Sequence, residues 1–257
     1  MFRPRIIPIL LVKDRSLVKS VRFKDHKYIG DPLNATRIFN DLKADELIFL
    51  DIEASRKNKL ISLDLIREVG EEARMPFAAG GGIRSVDDIQ KIIKAGAEKV
   101  VVCTRAGQEP EFIKNAAERF GSTTISVCID VKRSWFTGQR TRILNGRRPT
   151  VFDPVEFAQL MEEMGAGELI IQSIDHDGTM SGYDLELTKM VSNAVGIPTV
   201  ALGGAGKLED LGKAFQEGHA NAVAAGSLFV YQSTKRGVLI NYPTRYELQA
   251  VIRSNIS

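Results

Sequence analysis

Cysteine, histidine and tryptophan are scarce in this chain of 257 residues, which has two, three and one of them. Cys103 and Cys128 both lie in apolar runs, so a disulfide framework is excluded and buried, reduced thiols in a reducing compartment are expected. His26, His176 and His219 are far apart and give no metal-ligand spacing, so no metal site is expected; no cofactor is expected either. An excess of one charge is also lacking. Lys+Arg 35 against Asp+Glu 32 leaves a formal net charge of +3, too little for a surface that coats nucleic acid. A sequence pI near 8.8 still leaves room for basic patches facing anionic ligands. No stretch approaches the roughly 20 apolar residues of a membrane span. The opening MFRPRIIPILLVKDR begins like a signal peptide, but its apolar run covers only Ile6–Val12, contains Pro8 and gives way to Lys13 and Asp14. It reads as a first strand, and a cytoplasmic chain with no nucleic-acid or membrane partner is expected. Low-complexity linkers are missing too, so residues 1–257 are expected to form one domain.

What is present is a doubled pattern. ELIFLDIEAS from Glu46 reappears as ELIIQSIDHD from Glu168, and MPFAAGGGI from Met75 as IPTVALGGA from Ile197. The pairs Glu46/Glu168, Pro76/Pro198, Gly81/Gly203, Gly82/Gly204 and Gly96/Gly218 share one offset of 122. Two homologous halves fused in one chain are the simplest source of a constant offset. Strands are predicted at Ile6–Val12, Leu47–Asp51, Phe77–Ala79, Lys99–Cys103, Ile125–Asp130, Leu169–Ser173, Thr199–Leu202 and Ala222–Ala225. Between them run stretches with helical spacing, such as Leu63-Ile66-Val69 and Phe157-Leu160-Met161-Met164. Eight strands alternating with helices in a four-plus-four repeat predict an α/β fold, a (β/α)8 TIM barrel built from two half-barrels. Two segments break the rhythm: Lys13–Pro32, read as a long loop, and Thr137–Arg148, read as an inserted hairpin around the Asn145-Gly146 turn.

Function in such a barrel belongs to the loops at the C-terminal ends of the strands. Gly81 and Gly82 follow the third predicted strand, and Gly203 and Gly204 follow the seventh; glycine lets backbone N–H groups approach a phosphate. Thr104 after the fourth strand and Ser227 after the eighth add hydroxyls at nearly equivalent positions. Two such sites across the mouth suit a ligand with a phosphate at each end, and the competing reading is that the glycines only make tight turns. Asp177-Gly178 is expected to shape the second phosphate loop. Asp51, ending the second strand, either binds polar groups of a substrate or orients a loop. His176, between Asp175 and Asp177, has the look of a base or a metal ligand, though the scattered histidines give a metal little support, and Trp135 that of a stacking or rim-capping residue.

RIIP, GDP at Gly30–Pro32, DELIFLDI, GGGI, IDVKR, GAGELI, SIDHDGT, SGYDLELT and GGAGK together resemble the HisF family, the cyclase subunit of imidazole glycerol phosphate synthase. The resemblance covers almost the whole chain. It implies a bisphosphorylated ribulose substrate and a HisH-like glutaminase supplying ammonia at the N-terminal face of the barrel. It also implies two catalytic aspartates, ending the first and fifth strands. Asp130 matches the second, whereas Leu11 occupies the place of the first, and a leucine neither gives nor takes a proton. Loss of a positioned acid or base costs about 10²–10⁴-fold in rate. Cys103 replaces a family asparagine beside a phosphate, while Lys19, which in the family helps hold substrate, is kept.

Arg5, Glu46, Lys99 and Glu168 each stand at the start of a predicted strand: the first, second, fourth and sixth. The resemblance makes them a salt-bridged gate for ammonia; the plainer reading is a set of exposed surface charges worth about 0–1 kcal/mol per pair. Glu98, beside them, is implied to lie in the glutaminase interface. LLVKDRSLVKSVRFKDHKYIGDP, VKRSWF and FVYQSTKRGVLINYP are similar to the WbuZ-type paralogues of surface-polysaccharide clusters. That likeness implies a barrel that passes ammonia on, with a separate ATP-dependent N-acetyl-sugar amidotransferase making an acetamidino group. A cyclase of histidine biosynthesis is the alternative, and a non-catalytic activator of the glutaminase a third.

Overall fold

The structure, a computed structural model, describes residues 5–136, 138–232 and 237–253. The first half of the chain runs β1 (Arg5–Lys13), β2 (Ser16–Val21), β3 (Lys24–Gly30), α1 (Pro32–Asp41), β4 (Leu47–Asp51), α2 (Leu63–Glu72), β5 (Phe77–Gly80), α3 (Val86–Lys94), β6 (Lys99–Val102), α4 (Thr104–Gln108) and α5 (Glu111–Phe120). The second half runs β7 (Ile125–Ser134), β8 (Gly138–Ile143), β9 (Arg148–Pro149), α6 (Pro154–Glu163), β10 (Glu168–Ser173), α7 (Leu185–Ser192), β11 (Thr199–Leu202), α8 (Leu208–Gln216), β12 (Ala222–Ala225), α9 (Ser227–Val230) and α10 (Arg245–Arg253).

The staves β1, β4, β5, β6, β7, β10, β11 and β12 pair in parallel in that order, and β12 returns to β1, which closes the barrel. This is the (β/α)8 fold read from the sequence, and the eight predicted strands coincide with the eight staves. The duplication is visible in the hydrogen bonds. Leu47 N–H donates to Pro76 O at 3.1 Å, and Leu169 N–H, 122 residues on, donates to Pro198 O at 2.9 Å. Alternation along each stave sorts the side chains. Outward residues such as Ile6, Leu47, Phe77 and Ile125 meet the helices, while Ile7, Ile48, Ala78, Val101, Cys128, Ile170, Val200 and Ala222 fill the barrel interior. Local chemistry sets the helix starts. Asp31 caps α1 ahead of Pro32, and capping boxes Ser85/Asp88 and Asp153/Glu156 open α3 and α6.

Two sequence expectations need correction. Lys13–Pro32 is not a loop but a β-ribbon: β2 folds back on the end of β1, and β3 on β2. The hairpin after the fifth stave begins earlier than Thr137, because β7 itself runs to Ser134 and turns through Trp135 and Phe136 into β8. Asn145-Gly146 closes a second, smaller turn between β8 and the two-residue β9. Thr137, the start given to that insertion, lies outside the described residues.

Candidate functional site

At the C-terminal mouth a cavity of about 1160 Å³, counted with its open entrance, is lined by residues from both halves. Leu11, Lys19, Asp51, Gly81, Gly82, Cys103, Thr104, Asp130, Asp177, Gly178, Gly203, Gly204 and Ser227 all face it. The staves bring them together because each βα loop of a parallel barrel opens on the same end.

Asp130 is the chemically distinctive group. It projects from β7, and the Cys128 and Cys103 thiols donate to its two carboxylate oxygens, each at 3.5 Å. Burial raises its pKa from 3.8 to about 7; the Cys128 and Cys103 hydrogen bonds pull the other way, and the Asp177 charge adds to the rise. Burial, then the charge of Asp130, holds both thiols well above their ordinary range, so they are protonated donors. Leu11, opposite in the cavity, packs with Ile9, Val18 and Leu50.

The loop residues have structural partners. Asp51 Oδ1 accepts from Glu53 N–H at 2.9 Å and Ala54 N–H at 3.0 Å, so this carboxylate orients its own loop. Asp177 accepts from Ser20 Oγ at 3.1 Å and, through its carbonyl, from Arg22 N–H at 2.8 Å, fastening the β2–β3 ribbon to the loop after β10. His176 is spent on that loop, with Nδ1 2.8 Å from Gly182 O. Thr104 Oγ1 accepts from Leu144 N–H at 3.1 Å. Lys19 is buried at 4% exposure, and its Nζ would lie 2.3 Å from a Cβ added at Gly226. Thr104 and Ser227 open the short helices α4 and α9, which gives the two halves matching rims.

The opposite end of the barrel holds a ring of alternating charge. Arg5 Nη1 is 2.5 Å from Glu46 Oε2, and Arg5 Nη2 bonds Glu168 Oε2. Lys99 Nζ reaches Glu46 at 3.2 Å and Glu168 at 3.7 Å. Both carboxylates are buried, so these are not the separate surface charges of the plainer reading. Burial disfavours the Arg5 cation, but Glu168 and Glu46 outweigh it and its pKa is raised. Ser126, which donates to Glu168 Oε1 at 3.1 Å, is a ring member that sequence reasoning missed. Its register opposite Glu168 on β10 places it there, and a serine opening a strand gives no separate sign. Glu98 is exposed at this end, next to Lys99. Gln172 and His26 are further cavity residues that the sequence did not single out.

A family model described as histidine biosynthesis protein matches residues 5–235. A Pseudomonas aeruginosa protein provisionally named as imidazole glycerol phosphate synthase subunit hisF2 is 45% identical over 243 residues, covering 95% of this chain and 97% of its own length. A Vibrio vulnificus protein provisionally named as subunit hisF3 is 42% identical, over 96% of this chain and 95% of its own length. The imidazole glycerol phosphate synthase subunit HisF of Alkaliphilus metalliredigens is 45% identical, over 90% and 92%. The chain belongs to the HisF family. It is a HisF-like synthase subunit within the imidazole glycerol phosphate synthase family.

Within this HisF-family barrel, packing and backbone conformation by themselves call for glycine in both pairs. Gly82 has φ +72, and an added Cβ would fall 1.8 Å from Lys59 O; at Gly204, φ +112, it would fall 2.1 Å from Gly182 O. Gly82→Ala and Gly204→Ala are each expected to cost at least about 1 kcal/mol of stability in urea unfolding. Unchanged midpoints in both variants would show that the loops relax freely and that this packing does not constrain them.

Proposed function

We propose that this barrel is the ammonia-accepting subunit of a glutamine amidotransferase system. A HisH-like glutaminase docks at the N-terminal face beside Glu98, and the ring of Arg5, Glu46, Lys99 and Glu168 gates entry of its ammonia. The barrel passes ammonia to the cavity, and from there a separate ATP-dependent enzyme uses it to amidate an N-acetyl sugar in lipopolysaccharide O-antigen biosynthesis, in the cytoplasm. One observation carries the reading: the four-charge ring closes over two buried carboxylates at one end of a barrel whose other end presents Leu11 where the family has its first catalytic aspartate. Ammonia transit needs the first feature and not the second. The cavity keeps room and backbone for a phosphorylated ligand, with Gly81, Gly82 and Thr104 on one side and Gly203, Gly204 and Ser227 on the other, and Lys19, Asp51, Asp177 and Gly178 between them.

The second reading is a cyclase that joins ammonia to the bisphosphorylated ribulose intermediate of histidine biosynthesis, releasing imidazole glycerol phosphate and an aminoimidazole carboxamide ribotide. Asp130 favours it, since a buried carboxyl with a pKa of about 7 is suited to general acid–base work near neutrality. The deciding experiment supplies the bisphosphorylated ribulose and ammonium chloride to the purified chain. Substrate binding without turnover is expected; turnover typical of a cyclase would displace the amidation reading. Leu11→Asp alone is expected to leave cyclisation at least a hundredfold below a typical cyclase, because the new carboxyl enters a cluster of Ile9, Val18 and Leu50. Near-normal turnover in that variant would refute this.

A further inference from the structure

Trp135 and Phe136 make the turn between β7 and β8, and they stand 96% and 93% exposed. A single exposed apolar side chain is ordinary, but two adjacent aromatic rings in water forgo burial that the fold could have used. The ribbon beneath them is firmly held. Its ladder runs from Asp130↔Arg142 to Ser134↔Gly138. Arg133 N–H donates to Asp175 Oδ2 at 2.8 Å, and Leu144 N–H donates to Thr104 Oγ1 at 3.1 Å. The ribbon also carries charge of one sign. Residues 131–150 contain Lys132, Arg133, Arg140, Arg142, Arg147 and Arg148 and no Asp or Glu, although the whole chain is only +3. Arg133, Arg147 and Arg148 are exposed. The hairpin rises from the stave that carries Asp130 into the cavity, so whatever seats on its tip lies at the cavity rim, at the end of the barrel opposite the charge ring.

We propose that Trp135 and Phe136 anchor a second protein, one with an acidic surface pocket, at the mouth of the cavity. Resting on the amidation reading, that protein is the sugar amidotransferase which consumes the ammonia. Tryptophan and arginine around a projecting aromatic tip are the side chains that dominate protein–protein affinity. Two exposed side chains on a projecting turn do not enclose a small ligand. An extended polyanion is disfavoured because the neighbouring loop and helix bring Asp175 and Glu186 against the basic zone, with Glu186 3.6 Å from Arg133.

The test uses the purified barrel and the purified sugar amidotransferase of the same organism, with affinity measured by biolayer interferometry at low and high salt. Wild type is expected to bind, and Trp135→Ala/Phe136→Ala to bind at least about tenfold more weakly. Arg147→Glu/Arg148→Glu is expected to weaken binding mainly at low salt. Glutaminase binding at the far face should be unaffected by either variant, which shows that the barrel is folded. Equal affinity of wild type and the aromatic variant would overturn the docking proposal while leaving the amidation reading intact. No binding by wild type would overturn both. If instead the aromatic substitutions abolish self-association, or adsorption to phosphatidylglycerol vesicles, the tip belongs to a second copy or a membrane and the proposal is wrong.

Discussion

Asparagine in place of Asp130 raises the unfolding free energy at pH 8 by about 3 kcal/mol. The sign follows from the direction of the shift. Burial lifts the folded-state pKa from 3.8 to about 7, so between those values the folded chain holds a proton that the unfolded chain has released. Stability conferred by the protonated carboxyl is complete below about pH 4 and is lost as pH rises through 7. A displacement of roughly three units at 1.36 kcal/mol each makes that loss about 4 kcal/mol. Asparagine cannot ionise and escapes it, but its amide nitrogen faces protonated thiols at one oxygen position, a mismatch that costs about 1 kcal/mol. Urea unfolding of both proteins at pH 4 and pH 8 checks the claim: the curves converge at pH 4 and separate at pH 8. Parallel curves at both values would mean that Asp130 is solvated and that its pKa is ordinary. The same shift makes Asp130 a proton holder near neutrality, so a variant that gains stability here loses whatever proton transfer the cavity performs.

Methionine at position 5 is expected to lower stability by about 3 kcal/mol, measured by urea unfolding at pH 7. Arg5 joins both buried carboxylates of the ring, and removing it leaves Glu46 and Glu168 with Lys99 and, for Glu168, Ser126. Breaking a buried ion pair on one side costs about 3–5 kcal/mol, and the Arg5 side chain is 34% exposed, which puts the effect at the low end. Arg5→Lys keeps the charge but not the two-pronged geometry, and should recover only part of the loss. A cost below about 1 kcal/mol in Arg5→Met would place the ring with exposed surface pairs. If the ring also gates ammonia, glutamine-dependent amidation should fall in Arg5→Met far more than amidation driven by added ammonium.

The staves were legible because they combine a two-residue alternation with a second copy of the same signal 122 residues on. The ribbon at Lys13–Pro32 was not, and the reason is its turns. Asp14 and Arg15 take φ 47° and 63°, and Arg22 and Phe23 take 52° and 61°. Those are the signs of type I′ hairpin turns, but the residues are not the Asn-Gly or Asp-Gly that announce them. The reverse held at Asn145-Gly146, where a strong turn signal marked the hairpin of β8 and β9, while the longer hairpin of β7 and β8, turning at Trp135 and Phe136, carries no such signal. In the site, charged residues at strand ends marked the ring, while Ser126 needed the β7–β10 register to be found. Asp130 was visible through its motif. Its two thiol neighbours were legible only as buried cysteines, since nothing in sequence spacing brings Cys103 to the same carboxylate as Cys128.

Leu11 and Asp130 share an arrangement in the barrel wall. Leu11 pairs with Leu50 on the parallel side and Val18 on the antiparallel side; Asp130 pairs with Gln172 and Arg142 in the same way. Each backbone is therefore clamped from both flanks, and the side chain contributes little to where the strand runs. Such a position is an interchangeable socket: an acid can be lost or gained there without redrawing the barrel. A scaffold with two sockets of this kind, one per half, can change the side chain at one without disturbing the other, and paralogues of one architecture can part company by a single residue.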